Sequence, residues 1–268
     1  MLGDFITSIL FAFGLSAMVW LGLRYRRRHL AREAYRAAPM PMYWRHILRR
    51  RAPVCVRLPL GLQARLHRQI KIFLAEKTFT ACGGLRSVND AMAVAIAGQA
   101  CLLLCGREGD ACFPTVSSVL VYPGSFYSRV RSYDAAVGME IVHDEARVGE
   151  ASPMGSVVVS WHEVLQANAL QGNGRNVVLH EFAHHIRPTG TALLAALRSG
   201  HRKLRVHGED AVLDAYGAES EDEFWAVSVE AFFEDAVRLR ETHPQLYGAM
   251  SDFFALDPAE WWSVAGGA

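Results

Sequence analysis

Charge of one sign is what this sequence most lacks: 28 lysines and arginines stand against 27 aspartates and glutamates, a formal net charge of +1 over 268 residues. That balance leaves no electrostatic footprint for a nucleic-acid backbone, so direct DNA or RNA binding is not expected. Cysteine is sparse as well. The five, Cys55, Cys82, Cys101, Cys105 and Cys112, are odd in number and show no paired spacing. This excludes the disulfide framework of a small secreted domain and fits a reducing cytoplasm. Cys101 and Cys105 are four apart on an apolar helical stretch, and the reading is buried free thiols rather than a second metal pair. Internal repeats and low-complexity tracts are missing, which excludes a solenoid or an array. No positive charge precedes the first apolar run, where Asp4 stands, so a cleaved signal peptide is not expected.

What is present begins with that run. Phe5 to Leu23 carries no charge, and at about 1.5 Å per residue it is just long enough to cross a hydrocarbon core of about 30 Å. Arg24, Arg26, Arg27 and Arg28 follow it. The positive-inside rule then puts the remainder of the chain in the cytoplasm, behind a single transmembrane helix. Arg24 to Arg51 is basic and aromatic, with Tyr25, Tyr35, Tyr43 and Trp44 among the arginines, and reads as a juxtamembrane linker drawn to anionic lipid. Pro39, Pro41, Pro53 and Pro59 punctuate it, so the globular part is expected from Leu58. The expected division is residues 1–4 outside, 5–23 in the membrane, 24–57 as linker, 58–262 as one domain and 263–268 as a tail.

Leu62, Leu66, Ile70 and Phe73 give Leu60–Lys77 a helical period, and Asn89 or Asp90 caps a second helix reaching Leu104. The period then changes. Ser118–Tyr122, Val137–His143 and Ser156–Ser160 are short β-branched runs bounded by glycine or proline. Helices alone follow the last of them: one around the histidines discussed next, Ala192–Val206, a long one over Asp222–Arg240, and Pro244–Ala255. The order predicts an α+β fold with the sheet along the histidine-bearing helix.

That helix carries Val177-Val178-Leu179-His180-Glu181-Phe182-Ala183-His184-His185-Ile186. Residues four apart lie one turn above each other, so His180 and His184 project from one face and can share a zinc ion. Glu181 lies beside the metal without having to ligate it and can take a proton from water whose pKa the metal lowers to about 7. Asn173-Gly174 is expected to open the helix and Pro188 with Gly190 to close it. His185 falls roughly 140° round from His180 and cannot replace His184 on that face. The bland alternative is chance histidines on a surface helix. Against it, three polar groups on so apolar a helix are costly to bury unless they share a partner.

Two histidines leave zinc short of three protein ligands. The C-terminal helix offers Glu219, Glu221, Glu223, Glu230 and Glu234 near Phe224, Trp225, Phe232 and Phe233. Glu223 has a competing role, because Ser220-Glu221-Asp222-Glu223 is a capping box in which Glu223 reaches back to Ser220. Glu230 is open to three readings: ligand, acceptor for a ligand histidine, or buried acid.

Phe73-Leu74-Ala75-Glu76-Lys77, Gln99 to Leu104, Leu120-Val121-Tyr122-Pro123, Asn176 to His184, Asp214-Ala215-Tyr216-Gly217-Ala218, Glu223 to Phe233 and Asp257-Pro258 together resemble the Mlc titration factor A family of bacterial zinc peptidases, over about Leu58 to Trp262. In that family, and in the similar catalytic domain of anthrax lethal factor, the third ligand is a glutamate seven residues after a tyrosine. The resemblance therefore implies His180, His184 and Glu223 as ligands of one zinc ion per chain, Glu181 as base and Tyr216 as hydroxyl donor to the oxyanion. One departure stands out: the family continues its zinc helix with lysine, leucine and aspartate, where this chain has His185-Ile186-Arg187.

The expected fold is thus α+β, a zincin-like metallopeptidase domain with a mixed sheet beside an HExxH helix and a helical C-terminal part, behind an N-terminal transmembrane helix. The expected function is a peptidase of the gluzincin type at the bacterial inner membrane, acting in the cytoplasm on peptides or exposed protein termini. Val157-Val158-Val159 is expected to be an edge strand beside which an extended substrate adds. The alternative implied by the family is a regulatory protein that sequesters a sugar-responsive transcriptional repressor, with peptidase activity secondary. A soluble cytoplasmic location is the alternative to membrane tethering.

Overall fold

The computed structural model describes residues 16, 18–20, 22–23, 26, 30, 32–34, 37–107, 109, 112–124, 126–134, 139–147, 149–152, 155–169 and 174–265. The chain divides into two units, Met1–Met40 and Pro41–Ala268. In the first, the described residues from Ser16 to Ala37 are helical and most are exposed. The expected span over 5–23 falls largely outside the described residues, and among those described no helix is long and apolar enough to cross a membrane.

The second unit begins earlier than Leu58. Helix α1 (Met42–Arg51) buries Ile47 and Leu48 against α3 (Asp90–Leu102), while Arg49, Arg50 and Arg51 suit the negative end of its dipole. Its arginines gave it the composition of a linker, yet two apolar residues on one face suffice to dock it. Gly98 permits the approach, since a Cβ there would lie 2.5 Å from Leu48 Cδ2. Helix α2 (Leu60–Glu76) buries Leu66, Ile70 and Phe73, spaced four and three apart. Helix α3 is buried on every side from Val94 to Leu102 and forms the centre of the N-terminal half.

Strands β1 (Thr78–Ala81), β2 (Ser118–Tyr122), β5 (Gly149–Ser152) and β6 (Ser156–Ser160) form one sheet in the order β1-β2-β6-β5. β1, β2 and β6 are parallel, with Leu120 opposite Val158, whereas β5 runs antiparallel to β6. Helix α3 lies between β1 and β2 in the chain, as a parallel connection requires a crossover. β3 (Phe126–Asp134) and β4 (Met139–Arg147) pair as a separate antiparallel ribbon, and Val137 and Gly138 of the strand expected over Val137–His143 lie outside the described residues. The Val157–Val159 run is not at an edge. It sits between β2 and β5, with Val157 and Val159 fully buried, and β5 takes the outer position.

Helix α4 (Trp161–Ala169) follows the sheet, and α5 (Val177–Ala183) carries the histidines. Then come α6 (Thr191–His207), a 3-10 turn at Ala215–Ala218, α7 (Glu221–Glu234), α8 (Ala236–Thr242), α9 (Pro244–Phe254) and α10 (Pro258–Ala265). The long helix expected over Asp222–Arg240 is broken at Asp235, whose φ of -132° and ψ of 44° leave the helical region. The carboxylate of Asp235 accepts from Arg238 Nη1 at 2.9 Å, which stabilises the new start. Phe73, Phe113 and Phe182 meet edge to face and join α5 to the N-terminal half, with Phe113 and Phe182 centroids 4.8 Å apart.

Candidate metal centre

Helix α5 starts at Asn176, not at Asn173-Gly174, of which Asn173 lies outside the described residues. The Asn176 side-chain oxygen accepts from the amides of Val178 and Leu179 at 3.1 and 3.2 Å, a cap that the following apolar run could have signalled. Val178, Leu179, Phe182 and Ala183 are buried, which fixes the helix about its axis. Trp225 of α7 completes its other end, its indole N–H lying 3.1 Å from Ala183 O and 3.0 Å from Ile186 O. Ala183 O also accepts the Ile186 amide at 2.8 Å, so the indole braces a turn that already closes the helix. His184 stands just past the helix at φ -59° and ψ -20°, still right-handed, so it stays beside His180 with ring centroids 5.1 Å apart.

On α7 the Ser220 hydroxyl accepts from the Glu223 amide at 3.0 Å, so the helix is capped. The reciprocal half of the expected box does not form. The Glu223 carboxylate turns instead toward the histidines, with Oε2 3.0 Å from His180 Nε2 and 3.7 Å from His184 Nε2. The three donor atoms lie within 4.8 Å of one another and make the only such group of His, Cys, Asp and Glu among the described residues. Three donors placed tetrahedrally at zinc bond lengths would stand about 3.3 Å apart, which lies between the 3.0 and 3.7 Å from Glu223 Oε2 to the two histidine nitrogens. Two imidazole nitrogens and one carboxylate oxygen therefore fit a small divalent cation, with a coordination position left for water or substrate.

Glu230, two turns along α7 from Glu223, approaches from the other side of His180, with Oε1 2.7 Å from Nδ1. A carboxylate there holds the proton on Nδ1 and leaves Nε2 for the metal. Its second oxygen accepts the backbone amide of Asn176. Asn176 Nδ2 in turn donates to Glu234 Oε1 at 2.7 Å. Sequence reasoning left Glu230 open among three roles, counted Glu234 only among the acids available as third ligand, and gave Asn176 no role.

The electrostatics follow from this packing. Burial works against a charged His180, but the hydrogen bonds to Glu223 and Glu230 outweigh it and push its pKa up to about 10. Burial raises the Glu223 carboxyl, and the His180 hydrogen bond and the histidine charges more than reverse that, leaving it lowered. His184 is lowered by burial and by the His180 charge. Among the protein groups alone, a proton thus bridges His180 and Glu223, and a cation binding there must displace it.

Glu181 is buried, 4% exposed, and its charge is among those that raise His180. Tyr216 sits on the 3-10 turn, 46% exposed as a residue, with its ring centroid 6.0 Å from that of His180. His185 lies outside the donor cluster, with Nδ1 3.4 Å from Thr115 Oγ1, and Arg187 is exposed. The cysteines are free, and all but Cys82 are buried.

Helices over a small, mostly parallel sheet, with a His/His/Glu donor cluster shared between two of them, define a protein of metallopeptidase type. The chain belongs to the family described as glucose-regulated metallo-peptidase M90, whose model matches residues 24–255. That span includes α1. The chain is similar to an uncharacterized protein of Synechocystis sp., 30% identical over 91% of this chain and 94% of that protein. It is also similar to the Mlc titration factor A proteins of Salmonella agona, 25% identical over 78% of this chain and 84% of that protein, and of Edwardsiella ictaluri, 26% identical over 53% and 61%.

Proposed function

We propose that the protein is a zinc-dependent peptidase of the gluzincin type, with His180, His184 and Glu223 as metal ligands, Glu181 as general base and Tyr216 as oxyanion donor. The observation that carries this reading is the convergence of one donor atom each from His180, His184 and Glu223 within 4.8 Å, beside a buried Glu181.

When bound, the metal supplies Lewis-acid polarisation of the scissile carbonyl and acidifies water. Glu181 accepts the proton of the attacking water on its carboxylate and passes it to the departing amine. The Tyr216 hydroxyl donates to the oxygen on which negative charge develops. Glu230 keeps the His180 ring oriented through Nδ1. An extended peptide finds free main-chain groups along β5, which is paired on one side to β6 and has no strand on its other side among the described residues. The metal helix packs against both strands, so a peptide along β5 runs past the donors.

The test is metal analysis of the purified chain with cleavage of a peptide library by wild type and Glu181→Gln. Substoichiometric metal, or equal cleavage by both proteins, overturns the reading.

The apolar run at 5–23 and the arginines behind it support tethering to the bacterial inner membrane, with the domain in the cytoplasm. A reporter fused after Ala268 that is active only outside the cytoplasm should stay silent. A second reading rests on the relatives named Mlc titration factor A. On that reading a transcriptional repressor is the partner, bound and sequestered with hydrolysis secondary. Repressor capture that persists unchanged in Glu181→Gln would favour it.

A further inference from the structure

Tyr216 presents a puzzle: nearly half its surface is exposed, yet an oxyanion donor has to be held in place. The turn that carries it is tied at both ends. At its start, Asp214 Oδ1 accepts the Tyr216 amide at 2.9 Å. The other oxygen of the same carboxylate pairs with Arg175 Nη2, and Arg175 is the residue immediately before Asn176, the cap of the metal helix. One carboxylate therefore links the entrance of α5 to the backbone of Tyr216. Gly174, just ahead of Arg175, has φ +76°, a conformation that favours glycine.

The loop ahead of Asp214 is anchored separately. Asp210 Oδ1 accepts the amides of Val212 and Leu213 at 2.9 and 3.0 Å and is paired with His243, while Arg238 Nη2 donates to Ala211 O at 2.6 Å. At the far end of the turn, His201 Nε2 lies 3.3 Å from Ala218 O, and Gly217 is pressed against Phe224.

We propose that the Arg175–Asp214 pair is a positioning device for Tyr216, setting the reach of its hydroxyl relative to the metal helix. This rests on the oxyanion role given to Tyr216 above. Neither residue belongs to the donor group. It lies at the surface, where an ion pair adds little to stability. Its effect is expected in the hydrolytic step and not in the melting temperature. Asp214→Asn separates the two functions of the carboxylate, because the amide oxygen still accepts from Tyr216 N–H while the charge facing Arg175 is gone.

The experiment uses the full chain and a fluorogenic peptide cleaved by the wild type, with Tyr216→Phe, Arg175→Met, Arg175→Lys, Asp214→Asn and the double variant Arg175→Met/Tyr216→Phe. Binding of a phosphinic analogue of the same peptide, zinc content and melting temperature are read alongside kcat and KM. Tyr216→Phe should lower kcat by roughly 10²- to 10³-fold. Arg175→Met and Asp214→Asn should each lower kcat about tenfold and weaken the phosphinic analogue in parallel, with KM, zinc content and melting temperature held. Arg175→Lys should recover most of the loss. The double variant should be no slower than Tyr216→Phe alone.

If Arg175→Met costs the same factor in the Tyr216→Phe background as in wild type, or if its loss is one of zinc or of folding, the positioning role is overturned while the role of Tyr216 stands. If Arg175→Met and Asp214→Asn keep full kcat, it is overturned likewise. Full activity in Tyr216→Phe removes the oxyanion role itself, and the positioning proposal with it.

Discussion

Glu230 holds His180 from behind, with its Oε1 2.7 Å from His180 Nδ1 and its other oxygen on the backbone amide of Asn176. One side chain of α7 thus fixes both the start of the metal helix and the orientation of its first histidine. Glu230→Gln keeps an acceptor but loses the charge, and Glu230→Ala loses both. Metal affinity measured by chelator competition should fall by roughly 10- to 100-fold for the alanine variant and less for the glutamine variant. Unchanged affinity in Glu230→Ala would reduce Glu230 to a helix-packing acid.

Glu181→Gln is nearly isosteric, but its amide cannot accept the proton of water. The variant should keep its metal and its melting temperature while peptide hydrolysis disappears. Residual cleavage near the wild-type rate would remove Glu181 from the mechanism.

Glu234 supplies the pH dependence. Burial chiefly, with the Glu230 charge, raises its carboxyl to about 7 despite the hydrogen bond from Asn176. The folded-state value lies above the unfolded one, so this group's contribution is complete below about pH 4.5 and is lost as pH rises through about 7. A shift of this size corresponds to about 3 kcal/mol. Denaturant unfolding at pH 5 and pH 8 should show Glu234→Gln gaining on wild type at the higher pH by an amount of that order. Equal differences at both values would mean that Glu234 does not titrate in this range.

Much of the centre was legible because helix geometry is local. The His180–His184 spacing and the apolar residues around it require only a turn of helix, and Ser220 announces the start of α7 in the same way. The third donor was not legible on those grounds. Glu223 satisfies a capping pattern as well as a ligand role, and only the approach of α5 and α7 decides where its carboxylate turns. The sheet edge was misplaced for a related reason. Gly149–Ser152 has no β-branched run to mark it, yet it pairs outside β6 and moves the sheet edge away from Val157–Val159. Met42–Arg51 was hidden by its arginines, since the docking of Leu48 depends on Gly98 in a helix far along the chain.

The two roles open to Glu223 can be separated by comparing it with its cap. Loss of the Ser220 cap in Ser220→Ala should cost about 0.5 to 2 kcal/mol of stability and leave zinc and hydrolysis in place. Its bond is to the Glu223 amide, which survives any change of the Glu223 side chain. Glu223→Ala leaves that cap intact and removes the carboxylate that lies 3.0 Å from His180 Nε2 and 3.7 Å from His184 Nε2. With two of three protein donors remaining, zinc should be lost on dialysis and activity with it. Metal content by atomic spectroscopy, peptide cleavage and urea unfolding of the two variants give opposite patterns for the two roles. If Glu223→Ala retains one zinc per chain and full activity, the third donor has to be sought elsewhere, and Glu230, already 2.7 Å from His180 Nδ1, becomes the first residue to test by the same comparison.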